Sequence, residues 1–339
     1  MGIEEKEILG EMTPEDYRSN EIFLEHFGPG GTWDLSVKKA VENCISSKIP
    51  EHLWHYCSVK SLEAILKSKN MFMSNIHSMN DYKEGEWITD KLISKINSHY
   101  PELSGFIPYL SNYNVDFLQG PYVASFSSDG DLLSQWRGYG NDGKGVSVGI
   151  RGDKISIPLI SFDNEALFGR TFITNVIYDE VKQENVIETL INLVKLVVSA
   201  ASETKFNSNN HPYLYAATRI KFRLYFMAPM FKNPSFKEEG EWRIIGYPAS
   251  TMSVSDNNNI CSINMNKFGD NSDFKFRSSD NDIIDYITFP SVSSINSMID
   301  AINLGPACIL KKKTLGLFVS EQEIKSITIE KSKSTLRPT

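Results

Sequence analysis

PYVASFSSDGDLLSQWRGYGNDGKGVSVGI, residues 121–150, holds the changes of periodicity that decide the fold class. Residues 121–127 are aromatic, β-branched or small and read as a strand. The polar run Ser127-Ser128-Asp129-Gly130-Asp131 supplies cap and turn chemistry ahead of LLSQWRGYG, which reads as a short helix. GVSVGI (145–150) returns to strand.

The same irregular alternation continues outward. LWHYCS (53–58) reads as the first core strand. Ser58 then caps a helix running to Lys67, with Leu62, Ile65 and Leu66 on one face and Asn70 as its stop. MFMSN (71–75) is the next strand, followed by a polar turn at Asn80-Asp81 and a helix from Glu84 to about Ile96. Downstream, 170–179 reads as a strand, 181–204 and 213–231 as helices, and 241–248 as a strand. ICSINM (260–265), FKFRS (274–278), DYITF (285–289), MIDAINL (298–304) and SITIE (326–330) are further strands, and TLGLFVSEQ (314–322) a helix. SDNNN (255–259) and GDNSD (269–273) read as exposed turns. Strands outnumber helices and do not alternate with them. The expected class is therefore α+β, with mixed, largely antiparallel sheets around a central cleft and flanking helices.

Before His52 the pattern differs. Met12–Phe27 and Leu35–Ile45 carry apolar residues at helical spacing on either side of Gly28-Pro29-Gly30-Gly31. This divides the chain into an N-terminal helical extension (1–50) and a single α+β domain of catalytic type (51–339).

Net charge is -7 and the isoelectric point about 5.5, which argues against a general nucleic-acid or membrane-surface binder but leaves room for a local basic patch. The most apolar stretch, LINLVKLVVSAA, is interrupted by Lys195 and is too short to span a bilayer. Cys44, Cys57, Cys261 and Cys308 form no CxxC pair and read as small buried residues in a reducing compartment. MGIEEKEIL lacks the apolar core of a signal peptide, and Lys6 stands where myristoylation wants Ser or Thr. The expected location is cytoplasmic.

Two patterns mislead. Gly138-Tyr139-Gly140-Asn141-Asp142-Gly143 spells GxGxxG and, with Lys144, nearly a Walker loop. A phosphate loop must follow a strand and open a helix; here a helix precedes and a strand follows, and Gly145 replaces the magnesium-binding hydroxyl. His52 and His55 sit three apart on a strand, so they point to opposite faces and do not form a metal pair.

Three short motifs carry candidate chemistry. The first is His55-Tyr56 in the first strand. The second is Ser125-Phe126-Ser127 with Asp131, Gln135, Trp136, Arg137 and Tyr139 behind it. The third is Glu239-Gly240-Glu241-Trp242-Arg243 at a strand start. Taken singly, each has a plain structural reading: a core histidine, a helix cap, a same-face ion pair between Glu241 and Arg243.

Taken in order, histidine strand, Ser-x-Ser strand and Glu-x-Glu strand start, they resemble the ADP-ribosyltransferases. More widely, about residues 52–338 resemble a widespread bacterial family catalogued as domain of unknown function 2971. That resemblance rests on His55-Tyr56, MFMSNIHSMND, SFSSDGDLLSQWRGYGNDGKGV, a Lys followed by EWRII, and the closing LGP and TLR segments.

The first resemblance implies an ADP-ribosyltransferase-like fold and NAD as substrate. Glu241 would stabilise the oxocarbenium-like charge on the ribose, and Glu239 would orient or deprotonate the acceptor. His55 would bond the adenosine-side ribose, and Ser127, beside Ser125, would support the glutamate or that ribose. Tyr56, Tyr82, Trp136 and Tyr139 are the candidates for stacking on nicotinamide, and Arg137 or Arg243 for the pyrophosphate. His55 stands where the Ser-x-Ser class usually has Arg, so the acceptor stays open among protein, nucleic acid, small molecule and water. The resemblance also implies a toxin or phage-defence effector with an antitoxin or defence partner. Two alternatives remain: an NAD glycohydrolase with the same site, and a non-catalytic ligand-sensing or interaction module.

Overall fold

The computed structural model describes residues 31–79, 85–112, 120–160, 170–203, 212–247, 250–257, 260–267, 275–279, 282–290, 293–324 and 326–335. Met12–Phe27, most of the glycine loop after it, the Asn80-Asp81 turn, Tyr82 and the GDNSD turn lie outside these residues.

An open, largely antiparallel sheet forms the body. Its strands are β1 (His52–Cys57), β2 (Met71–Asn75), β3 (Tyr122–Ser127), β4 (Val146–Arg151), β5 (Thr171–Asn175), β6 (Glu241–Gly246), β9 (Lys275–Ser279), β10 (Asp282–Phe289), β11 (Ile299–Leu304) and β12 (Thr328–Lys331). They run in the order β12-β11-β4-β1-β3-β2-β10-β9, with β6 laid along β3 and β5 beyond β6. β11 and β12 pair in parallel; the other ladders are antiparallel. β7 (Ser250–Asn257) and β8 (Ile260–Lys267) form a separate hairpin. This is a mixed α+β fold.

Helices cover both faces of the sheet, and β6 shows why. Side chains alternate along a strand. Ile245 joins one core with Val41, Leu92, Leu190 and Phe226, contributed by α1 (Thr32–Glu42), α3 (Trp87–His99), α6 (Glu180–Glu203) and α7 (Pro212–Met227). Trp242 and Ile244 join the other with Leu53, Leu62, Val148 and Val319, where α2 (Val59–Ser68) and α8 (Lys312–Glu321) pack. Because both its faces are buried, β6 reads as a continuous run, EWRIIG, with every residue buried. Among the described residues no helix is long and apolar enough to cross a membrane.

Several local readings change. Ser58 caps α2 as expected, its Oγ accepting from the Ser61 N–H at 3.0 Å. The helix stop is Lys69 in left-handed backbone (φ 59°) rather than Asn70. α3 starts at Trp87 and runs to His99, later at both ends than its apolar spacing suggested. The SSDGD run places no side-chain cap on α5 (Leu133–Gly138); instead Asp129 Oδ1 accepts from the Asp131 N–H at 2.8 Å as a turn. β7 and α4 (Ile107–Asn112) were not expected. β7 takes in Ser255–Asn257, because its ladder to β8 supplies partners that outweigh their turn propensity. The glycine-rich turn after α5 leads into β4, as its sequence order requires.

Residues of the N-terminal segment contribute to the core that Ile245 joins. Val37, Val41 and Cys44 are buried there, and Lys182 Nζ donates to the Cys44 carbonyl at 3.2 Å. Cys57 and Cys308 are likewise buried.

Gly145 is needed for close packing. A Cβ there would lie 2.2 Å from the Cys57 carbonyl oxygen and 2.8 Å from that of Gly140, both backbone atoms. Gly145→Ala is therefore expected to cost about 2–3 kcal/mol in urea unfolding. Gly138→Ala, whose Cβ meets nothing within 4 Å, is expected to cost nothing measurable.

Candidate functional site

β3 pairs with β6 from Tyr122 to Ser127 along one edge. On its other edge it meets β1 only through Trp54↔Ser127, and β2 only through Ser74↔Val123 and Asn75↔Tyr122. The two neighbours diverge, and Ala124, Ser125 and Phe126 have no strand partner on that side. A cavity of about 250 Å³ lies at this split.

His55 closes part of the gap. Its Nδ1–H donates to the Ser125 carbonyl at 3.1 Å, satisfying a backbone acceptor the ladder leaves over. Its ring also meets Phe126 edge-on at 5.9 Å. Burial pushes the imidazole pKa down, against the smaller upward pull of the Ser125 carbonyl. The ring is therefore neutral near pH 7, with the proton on Nδ1 and Nε2 left as an acceptor.

Glu239 and Glu241 form the floor. Glu239 ends a 3-10 turn (Pro234–Glu239) and Gly240 takes left-handed backbone (φ 52°), after which β6 begins. Residues two apart share a side only in an extended chain, and here only Glu241 is in a strand, so spacing alone does not align the two carboxylates. The carboxylates converge through a shared cation instead: Lys232 Nζ donates to Glu239 Oε2 at 2.7 Å and to Glu241 Oε2 at 3.2 Å. Arg243 grips Glu241 in bidentate fashion, Nε to Oε1 at 2.8 Å and Nη2 to Oε2 at 3.0 Å, while Nη1 donates to the Pro229 carbonyl. Tyr178 Oη adds a long contact to Glu241 Oε2 at 3.4 Å. All four charged groups are buried, and the two acids balance the two cations.

The two carboxyls titrate in opposite directions. For Glu241, burial raises the pKa, but Arg243 and Lys232 outweigh it and hold the group at about 2. For Glu239, burial wins over Lys232 and the pKa is raised. Ser125 Oγ, on the Glu241 face of β3, helps hold the Glu241 pKa down, yet it is buried without a partner at hydrogen-bond geometry.

The structure brings His55, Tyr56, Ser125, Tyr139, Glu239 and Glu241 to the wall of one cavity. Four other candidates lie elsewhere, one of them Arg243, which is fully buried behind the lining and committed to Glu241 rather than open to a pyrophosphate. Ser127 is buried behind it, its Oγ donating to the Glu239 carbonyl at 2.7 Å and accepting from the Asp129 N–H. Trp136 is fully buried; Nε1 donates to Asp131 Oδ1 at 2.7 Å and the ring packs edge-on against Tyr56 at 4.7 Å. Arg137 is exposed on α5, away from the cavity lining. Tyr56 is fixed by donating to the Asp129 carbonyl and accepting from the Leu132 N–H, whereas Tyr139 is exposed at the rim.

Lys232, Phe72, Ser74 and Arg277 also line the cavity and escaped sequence reasoning. Lys232 directly follows the buried run Phe226–Phe231. A lysine closing so apolar a stretch was the available signal, since a buried ammonium requires acid partners. A larger groove of about 550 Å³ between α1 and α6 holds none of the three motifs.

Residues 135–244 match the model of a family described as a protein of unknown function (DUF2971). The matched stretch contains Lys232, Glu239 and Glu241 from the cavity lining and Arg243 buried behind it. No curated protein and no solved structure matches the chain.

Arg243→Met is expected to lower stability by about 3–5 kcal/mol in urea unfolding, because Glu241 keeps its burial and loses its main counter-charge. The pH dependence follows from the shifts. The folded pKa of Glu241 lies below its ordinary 4.5, so its contribution is complete above about pH 4.5 and is lost as pH falls through 2. The folded pKa of His55 lies below 6.5, so stability is also lost as pH falls from 6.5. Glu239 acts the other way, its raised folded pKa adding stability as pH falls. The His55 contribution is therefore read as a difference: the unfolding free energy of the wild type minus that of His55→Gln should fall from pH 7 to pH 5.

Proposed function

We propose that the split in the sheet binds the nicotinamide–ribose end of NAD and that the chain is an NAD-dependent ADP-ribosyltransferase-like enzyme of ADP-ribosyltransferase-like fold. The observation that carries this reading is the convergence of His55, Ser125, Glu239 and Glu241 on one cavity from three strands and a turn. The volume, about 250 Å³, suits one half of a dinucleotide and is too small for the whole.

The opposed titration of the two carboxyls supports a division of labour. Glu241, ionised at any physiological pH, supplies a fixed negative charge beside the ribose as the bond from C1′ to nicotinamide breaks and positive charge builds there. Nicotinamide leaves with the bonding electron pair. The acceptor nucleophile forms the new bond to C1′, and its proton passes to Glu239. His55 Nε2, on the wall of the same cavity, accepts from a hydroxyl of the nicotinamide-side ribose rather than the adenosine-side one. Tyr56 and Tyr139 are the rings available for stacking, and water in place of the acceptor gives glycohydrolysis at the same site.

A second reading has its own observation. Both Glu241 oxygens are occupied, and Lys232 and Arg243 balance the two carboxylates. A neutralised floor suits binding without turnover, as in a ligand-sensing module.

Nicotinamide release from NAD, followed by chromatography, separates the readings. The enzyme reading expects release by the wild type and a loss of at least about 100-fold in Glu239→Gln with its melting temperature held, a change that breaks only the Lys232 contact and leaves the Arg243 grip on Glu241 in place. Label from NAD on an acceptor indicates transfer, and free ADP-ribose indicates hydrolysis. Thermal stabilisation by NAD without release supports the sensor. Neither release nor stabilisation removes NAD from the account.

A further inference from the structure

The wing of the sheet made by β2, β10 and β9 presents one open face beside the cavity mouth. The pairings Thr288↔Phe72, Tyr286↔Ser74, Tyr286↔Lys275 and Ile284↔Arg277, with strand alternation, put Phe72, Tyr286, Lys275 and Arg277 on that face. The Phe72 and Tyr286 rings lie 4.2 Å apart at 37°. The Arg277 guanidinium sits 5.8 Å from the Phe72 ring and donates to Ser74 Oγ at 3.1 Å, so it is held over the platform. Phe72 is 40% exposed, and both Lys275 and Arg277 are exposed. Among the described side chains neither cation meets a carboxylate. Asp285 alternates to the opposite face, where Tyr122 and Asn75 engage it.

An edge-strand lysine commonly serves only to discourage aggregation. That role explains Lys275 alone; it does not explain an arginine drawn back across an aromatic pair at the rim of a cavity. Stacked rings flanked by two cations on one strand are complementary to flat bases on a chain of phosphates. Lys275 and Arg277 are two residues apart, about 6.6 Å along the strand, and so serve successive phosphates. The openness of the face fits a strand that continues past it; a free mononucleotide is usually enclosed. A duplex hides the faces of its bases and offers nothing to stack.

We propose that this face binds single-stranded nucleic acid, one base stacking on Phe72–Tyr286 and consecutive phosphates meeting Arg277 and Lys275. It is the local basic patch that a net charge of -7 leaves room for. It stands apart from the NAD reading, because binding is measured without NAD and either can fail alone.

Fluorescence anisotropy of labelled oligouridylate with the full chain tests it. Two phosphate contacts predict a slope of log affinity on log salt of about -1.4, and Arg277→Gln should reduce that slope by about 0.7. Phe72→Ala should weaken binding roughly ten-fold, while Phe72→Trp, which keeps a stacking ring and guards against a folding artefact, should retain it. The proposal is overturned if the wild type shows no anisotropy change at low salt. It is equally overturned if Arg277→Gln and Phe72→Ala leave binding unaltered, or if a duplex or an acidic peptide binds as well as the single strand.

Discussion

β3 carries a full ladder to β6 on one edge and three residue pairs on the other, one to β1 and two to β2. A strand cannot leave buried carbonyls and N–H groups unpaired without cost, so the gap between β1 and β2 has to be filled by something other than a strand. His55 fills it on one side by bonding the Ser125 carbonyl. The same gap admits the cavity, and its position beside β6 fixes which residues can line it. Ser125 lines it because it is one of the β3 residues left without a partner on that edge, and Glu241 reaches it from β6, two residues along from the Ser125–Arg243 pair.

The charge cluster beneath the cavity is the second constraint. Burying a carboxylate is expensive unless opposite charge and hydrogen bonds come with it. Arg243 answers this for Glu241 with a two-point grip, and Lys232 ties Glu241 to Glu239. The arrangement draws on three separate segments: Lys232 in the link between the 228–230 and 234–239 turns, the 234–239 turn itself and β6. It therefore also pins the turn that delivers Glu239. Ser127 strengthens that pin by bonding the Glu239 carbonyl. Part of the Ser-x-Ser motif thus holds the Glu-x-Glu turn in place, while the other serine faces the carboxylate.

Much of this was legible beforehand, for identifiable reasons. The strands at 53–58, 71–75, 121–127, 145–150 and 241–248 are rich in β-branched and aromatic residues and end at clear turn chemistry, and each forms within a residue or two of its expected span. Order along the chain also separated the glycine-rich turn from a phosphate loop. β7 and the start of α3 were not legible: polar propensity pointed one way and tertiary partners the other. Of the candidate residues, Trp136 and Arg137 share one short helix, yet one is fully buried and the other exposed. Which helix face meets the core is a property of packing, and α5 is too short to show a periodicity.

The sequence by itself determined the α+β class, most strand positions and the residue types able to do chemistry, because hydrophobic period, turn residues and caps act over a few neighbours. The tertiary structure decided that β1 and β2 part company at β3, that Lys232 joins two glutamates, and that Phe72, Tyr286 and Arg277 share a face. Those outcomes depend on register and strand order between segments more than two hundred residues apart. No local pattern encodes such pairings, since each strand would be equally stable beside several others until the charges and carbonyls at its edge are satisfied.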